Sequence, residues 1–498
     1  MSEAAVETTE QVRPRRRQRV PRGRALFVVA LITTTVVVAS LAYSPEPPRP
    51  SEPAAAAVAA SNVESSAWYC TGMTGGSGGI VDGTVVLSST AEATREVSVR
   101  VVNDSGQRTS TKVFVPAGGS ASVRPSTLLQ GSWLAVDLQV LGGGVAASEI
   151  VTGPLGMATA PCTSTVSTRW AFAAGDTTPG HETYLALFNP GSRPAVVSDL
   201  FFTPSGRSAP QPFQAVVVPP HATLTQRIGG FLQRTNPFGT VVTTLSGQVA
   251  ASEVVVSSTA SVGVILQAGQ LAPDHNLGIP ALSVVDHQQA TVNVVNPSRH
   301  AISATVTPHL QSSTEARSWE LQVPAQSIAS VEVSSSSRIP SGTLCSITIK
   351  ASGGGAYAAW TSSVENGERS GYGGAAALGL SNASLVDRAI IPAIGERRNP
   401  WVPGLGSSSV VVTPLGGSGT TSVVLNRLNL KGTLVTFDLK VIPMGSTKAF
   451  ALPEGKQQLA LSPVYVHVVG RAMVGEVLTP TLVPGTATSP ALPIDAQP

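Results

Sequence analysis

Charge is scarce in this chain: only 12% of its 498 residues are Asp, Glu, Lys or Arg, about half the share usual in globular proteins. Long surface helices draw on Glu, Lys, Arg, Gln and Leu, so a mainly helical protein is excluded. The formal net charge of +3 is itself a local effect. Arg13, Arg15, Arg16, Arg17, Arg19, Arg22 and Arg24 crowd the N-terminus with Glu3, Glu7 and Glu10, leaving 25 basic against 26 acidic residues in the remainder. A near-neutral body has no electrostatic footprint for nucleic acid. Motifs of common chemistry are missing too. None of His181, His221, His275, His287, His300, His309 and His467 stands at H-x-H or H-E-x-x-H spacing, and no C-x-x-C, P-loop or G-x-G-x-x-G opens a helix.

What is present is β-forming. Gly (48) and Pro (38) are plentiful, and Ser, Thr and Val fill much of the rest, a mixture of strands and turns. The exception is Ala25 to Tyr43, 19 uncharged residues directly after the Arg cluster. That length matches a bilayer-spanning helix, and the charge bias places the N-terminus in the cytoplasm and the bulk outside. The alternative is a signal peptide cleaved near Ser40-Leu41-Ala42. Residues 44–66, with Pro45, Pro47, Pro48, Pro50 and Pro53, read as an extended spacer, and residues 481–498 as a structureless tail.

Internal repetition organises the rest. Val145-Ala146-Ala147-Ser148-Glu149 recurs as Val249-Ala250-Ala251-Ser252-Glu253, 104 residues later. Weaker copies run from Gly355 to Trp360 and from Gly470 to Val477. A strand ending in Val-Pro or Ile-Pro recurs at Val115-Pro116, Val218-Pro219, Val323-Pro324 and Ile442-Pro443. A strand ending in Asn-Pro recurs at Asn189-Pro190 and Asn296-Pro297. Proline past a strand has no N–H for a ladder and holds the preceding residue extended. Six or seven short strands per repeat predict an all-β chain of about four tandem immunoglobulin-like antiparallel sandwiches, at 67–163, 164–270, 271–380 and 381–480, preceded by one transmembrane helix at 25–43 and a cytoplasmic tail at 1–24.

The segment Trp170 to Gly175, then Tyr184 to Pro190, then Val218-Pro219, then Val249 to Glu253 resembles a bacterial extracellular repeat. With the Arg-rich N-terminus and single span, the chain resembles the actinobacterial DUF5719 family over roughly residues 65–480. The resemblance implies a membrane-anchored extracytoplasmic protein and carries over no activity. The third repeat departs from it in lacking the Trp opening and the closing Glu, and the fourth has Thr413-Pro414 for Asn-Pro.

Candidate sites are few. Cys70 and Cys162 bracket the first repeat, and a disulfide between them would tie its start to its end, though their separation alone does not establish the pair. Cys345 falls in an alternating strand and reads as a buried free thiol. Glu149, Glu253 and Glu476 share one repeat position; paired carboxylates serve glycoside hydrolysis only at about 5–10 Å, and placement in different repeats favours a structural role. Trp68, Trp170 and Trp401 stand near repeat openings, where they would stack on sugars or fill cores. Gly75-Gly76-Ser77-Gly78-Gly79 satisfies G-x-S-x-G formally but lacks the α/β context. No catalytic residue, cofactor or metal is assigned. The expectation is a non-enzymatic envelope scaffold at the cell membrane with a protein or polysaccharide partner; a glycan-binding module is the alternative, and an envelope hydrolase a distant third.

Overall fold

The computed structural model describes residues 56–75, 80–153, 156–257, 262–284, 288–311, 317–334, 338–366, 369–376, 378–380, 386–391, 405–428, 434–452, 463–480 and 487–494. The Arg-rich tail, the Ala25–Tyr43 segment, most of the spacer and Trp401 lie outside them. Among the described residues regular structure is almost all strand, with short 3-10 turns at Pro125–Thr127 and Gln211–Phe213; none forms a helix long and apolar enough to cross a membrane.

The first strands are β1 (Ser65–Gly75), β2 (Asp82–Ser89), β3 (Arg95–Asn103), β4 (Arg108–Val115), β5 (Ser120–Val123), β6 (Gly131–Leu141), β7 (Val145–Gly153) and β8 (Gly156–Pro161). Two antiparallel layers result, ordered β4-β3-β6-β1 and β5-β2-β7-β8. Alternation decides which face turns inward: Val97, Val99 and Val101 of β3 are buried while Ser98 is exposed. They meet Trp68, Val85, Leu87, Leu138 and Val140 in one core. The glycine link between β6 and β7 does not make a hairpin, since β6 pairs with β1 and β3. Instead Gly142 and Gly144, at φ +92° and +77°, carry the chain across to the other layer, where β7 pairs with β2. Positive φ is open to glycine at little cost.

The same pairing scheme recurs. The next strands are β9 (Arg169–Gly175), β10 (His181–Asn189), β11 (Ala195–Thr203), β12 (Gly206–Ser208), β13 (Val216–Val218), β14 (Ala222–Arg227), β15 (Phe238–Ser246), β16 (Ala250–Ser257) and β17 (Val262–Ala268). They form β12-β11-β15-β9, with β13 also on β11, and β14-β10-β16-β17. After them, β18 (Asn276–Val284), β19 (Gln288–Asn296), β20 (Ile302–His309), β21 (Trp319–Val323), β22 (Ser327–Glu332), β23 (Thr343–Ser352), β24 (Tyr357–Asn366), β25 (Arg369–Ala376) and β26 (Leu378–Gly379) form β21-β20-β23-β18-β26 and β22-β19-β24-β25. The last are β27 (Val386–Ile391), β28 (Leu405–Pro414), β29 (Thr420–Leu428), β30 (Leu434–Pro443), β31 (Lys448–Ala451), β32 (Val464–Pro480), β33 (Ala487–Pro490) and β34 (Leu492–Pro493). Here one long strand does the work of two, its first half pairing with β29 and β27 and its second with β28 and β33.

Register brings one position of the closing strand into correspondence across the four groups. Glu149 stands opposite Val85, Glu253 opposite Leu185, Trp360 opposite Val292 and Glu476 opposite Val410. Tryptophan therefore replaces the closing glutamate in the third group. The turn after each Val-Pro or Ile-Pro is also shared: Gly118, His221, Gln326 and Gly445 have φ between +50° and +75°.

The groups are not independent beads. The outer face of each β4-β3-β6-β1-type layer packs on the β5-β2-β7-β8-type layer of the next group. Val102 and Ala135 meet Phe188 and Ala250; Phe202 and Val241 meet Val295 and Tyr357; Ala281 meets Val411 and Val477. β17 and β25 pair in parallel, joining two groups in one sheet. The fourth group packs back on the first: Ile390 and Leu492 join the first core, and the Tyr465 hydroxyl donates to the Ser89 and Gly118 carbonyls at 2.6 and 3.0 Å. The described body is thus closed on itself, and β8, β17, β25 and β33 adjoin one another in sequence around it.

Two expectations need correction. Residues 487–494 are not structureless. β33 pairs with β32 and β34 with β27, giving the edge of the last layer the hydrogen-bond partners it needs. The end of the spacer is also part of the body: Val58 is fully buried and bridges to Ile494.

Candidate functional site

The chemistry-bearing residues of the repeat end inside the layers. Glu149 of β7 projects across its sandwich to the edge strand β1. There its Oε2 accepts the Gly72 N–H at 3.1 Å. A Cβ on Gly72 would sit 2.3 Å from Leu266 Cδ1 and 3.3 Å from Glu149 Oε1, so a larger residue there would displace Leu266 and crowd the carboxylate. Beyond it, the Ser252 hydroxyl donates to Glu149 Oε1 at 3.4 Å and accepts from the Thr71 hydroxyl at 2.7 Å. The carboxylate therefore ties the first group to the second. Burial pushes it up to about 7, against the bonds from Gly72 and Ser252.

Glu253 occupies the same place one group on. Its Oε2 accepts the Thr240 hydroxyl of β15 at 2.8 Å, and burial pushes it up to about 8. Ser252 and Glu253 are neighbours in one strand and point to opposite faces, so Glu149 and Glu253 do not share a pocket. Glu476 is likewise buried and pushed up to about 8, with the Arg427 charge acting the other way. Arg427 also lies 5.7 Å from the Phe437 ring centre. In each case removal from water penalises the ionised form.

Of the three candidate sugar-stacking residues, Trp401 lies outside the described residues and the other two belong to the core. Trp68 and Trp170 are 1% and 0% exposed, so neither ring face is open to a sugar. Each is held by an indole N–H at the start of the closing strand, Trp68 to the Val145 carbonyl at 2.9 Å and Trp170 to Val249 at 2.7 Å. Large aromatic area and one satisfied polar edge are what a sandwich core selects. Trp360 is buried too, while Trp319 is half-buried beneath the Arg338 guanidinium at 4.8 Å.

Cys70 and Cys162 are joined in a disulfide. Cys345 is a buried free thiol, and burial pushes it up to about 12. His309 donates or accepts through Nδ1 to Gly445 and Nε2 to Thr348, both at 2.8 Å; a carbonyl only accepts, so Nδ1 carries the proton. Burial lowers its basicity. His287 and Gly76 to Gly79 lie outside the described residues. Among those described, no three His, Cys, Asp or Glu side chains converge as metal ligands. A surface hollow of about 260 Å³ lies on the fourth group, lined by Arg388, Asn426, Tyr465, Val466, His467 and Ile494.

Sequence reasoning passed over Asp199. It is fully buried and pushed up to about 7 by burial, with the Gln226 side chain acting the other way. The signal was there: period-two alternation puts Asp199 on the inward face with Val197 and Phe201.

The arrangement defines an all-β protein of antiparallel sheets whose repeat-equivalent acids are buried within the layers and at a joint. The chain belongs to DUF5719, a family of unknown function, whose sequence profile matches residues 139–453. No curated protein matches. Among solved structures, Thermotoga maritima 1070 is 8% identical with a TM-score of 0.20, over 22% of this chain and 95% of that one. A tetra-tandem repeat from the extending region of a large adhesion protein is 11% identical, over 87% of this chain and all of the other, with a TM-score of 0.11. Streptomyces avermitilis α-L-rhamnosidase, solved with L-rhamnose, is 10% identical over 79% of this chain and 55% of that one, again at 0.11. None of these scores reaches the level at which a shared fold is implied.

Proposed function

We propose that the protein is a non-enzymatic, membrane-anchored scaffold of the bacterial cell envelope, built of four immunoglobulin-like sandwiches and held outside the cytoplasm by the Ala25–Tyr43 segment. The observation that carries this reading is the use made of the repeat-equivalent acid. Glu149 spends its hydrogen bonds on Gly72 and on Ser252 of the next group, and Glu253 bonds Thr240 across its own sandwich. Both roles are architectural. The glycan-binding alternative loses its two best aromatic positions to the core.

The test is crosslinking in intact cells from photo-reactive residues placed on exposed strands, followed by affinity capture. Recovery of one protein from several independent positions supports the scaffold. Recovery of wall polysaccharide overturns it in favour of a lectin, and release of wall fragments by the purified protein overturns it in favour of a hydrolase.

A further inference from the structure

Exposed apolar side chains are common singly and carry no message. Here they recur in register. Phe114, Val217 and Val441 each stand immediately before the Val-Pro or Ile-Pro turn, on the outer face of their layer. Leu141 ends β6, Leu245 is the penultimate residue of β15, and Val469 follows the last residue of β32 that pairs with β29; each stands one residue beyond Val140, Thr244 and Val468 respectively. All six are between 54% and 64% exposed. Within a group the two positions share a face and are separated by one strand, since Glu96 pairs with Phe114 and Ser422 with Val441. The third group is polar at the same places, with exposed Gln322 and a Ser303–Ser352 hydroxyl pair at 2.6 Å.

These positions lie at one end of the body. β17 and β25 run parallel with Val262 beside Gly371, so the second and third groups point the same way. Gly156, at the start of β8, abuts Gly263 at the start of β17. The joint from fourth group to first places Tyr465 against Gly118. From first to second, the charge of His221, the counterpart of Gly118, bears on Asp137. One geometry repeated around a closed body keeps equivalent residues at one level.

The chain also enters the body at this end. Gly142 and Gly144 donate to the Glu64 and Ala59 carbonyls, both at 2.8 Å, and Ser65 pairs with Leu141. Exposed Arg193 and Arg299 stand in the turns after the Asn-Pro strands, at the same end. Only 12 residues, 44–55, separate Tyr43 from the first described residue, a reach of at most about 40 Å.

We infer that this end, carrying Phe114, Leu141, Val217, Leu245, Val441 and Val469, rests on the surface of the bilayer that the Ala25–Tyr43 segment enters, with Arg193 and Arg299 against lipid phosphates. The inference depends on the anchored reading above. A short tether keeps the face near lipid, and an array of apolar side chains with flanking cations suits the headgroup boundary. The third group's polar row makes the contact asymmetric, tilting the body toward the other three.

The test uses the full chain reconstituted in phosphatidylcholine and phosphatidylglycerol vesicles. Leu141→Cys, Leu245→Cys and Val469→Cys are each labelled with an environment-sensitive fluorophore; Leu128→Cys, after the Pro125–Thr127 turn at the other end, is the control. Native thiols stay silent, because Cys345 is buried and Cys70 is bonded to Cys162. Doxyl-labelled lipid should cut emission at 141, 245 and 469 by roughly twofold or more and leave 128 unchanged. Quenching no greater than at 128, in vesicles that retain the protein through a carbonate wash, overturns the inference while sparing the anchor. Loss of the protein in that wash overturns the anchored reading, and this inference with it.

Discussion

Glu253→Gln makes the buried acid row measurable. The carboxyl is fully buried, holds one hydrogen bond from Thr240 and is pushed up to about 8 from an ordinary 4.5. In the unfolded chain it ionises near 4.5, so between about pH 4.5 and 8 the folded state holds a proton that the unfolded state has released. Stability therefore falls as pH rises through that window, by about 1.4 kcal/mol per unit for this one group. At pH 5 most of its contribution is intact; by pH 8.5 roughly 4 kcal/mol of it has been lost. Glutamine keeps the shape and stays neutral. The variant should match the wild type within about 1 kcal/mol at pH 5 and exceed it by several at pH 8.5. Urea denaturation midpoints at pH 5, 7 and 8.5, followed by intrinsic fluorescence, give the comparison. An equal loss of stability for Glu253→Gln at all three pH values would refute the reasoning, because it would mean that the glutamate folds ionised and that its charge is used.

Three further outcomes follow from other contacts. Trp170→Phe removes the indole bond to the Val249 carbonyl and should cost about 2–4 kcal/mol in denaturant; a loss below about 0.5 kcal/mol would show that the bond and the lost ring area are immaterial. Replacing Cys70 and Cys162 by serine frees a 92-residue separation and should lower stability by about 4–5 kcal/mol on chain-entropy grounds, with dithiothreitol reproducing the effect in the wild type. Gln326→Gly relieves a non-glycine residue at φ +50° and should raise the stability read from urea denaturation by about 0.3–1 kcal/mol, whereas the same change at Gln322, in a regular strand, should lower it.

Much of the local architecture was legible. The Val-Pro punctuation marked real strand ends, and the shared left-handed turn after it explains why two of its four positions are glycine. Val145 to Glu149 and Val249 to Glu253 are equivalent strands in register, as their identity implied. Other features left no local trace. Nothing in Trp68 or Trp170 says whether an indole meets sugar or core. β33 hid in a segment without apolar periodicity because its role is to satisfy a backbone edge, for which side chains matter little. Asp199 was readable in principle, since alternation alone turns it inward.

The sequence by itself determined the β class, the strand boundaries set by proline and glycine, and the family, because these rest on preferences felt within a few residues. Tertiary structure alone decided that the closing glutamates are buried and shifted, that Glu149 reaches past Gly72 to Ser252, and that the last group packs on the first. Those outcomes depend on side chains brought together from about a hundred residues apart, or from opposite ends of the chain. No local preference encodes such meetings; only the joint burial of several apolar faces selects them.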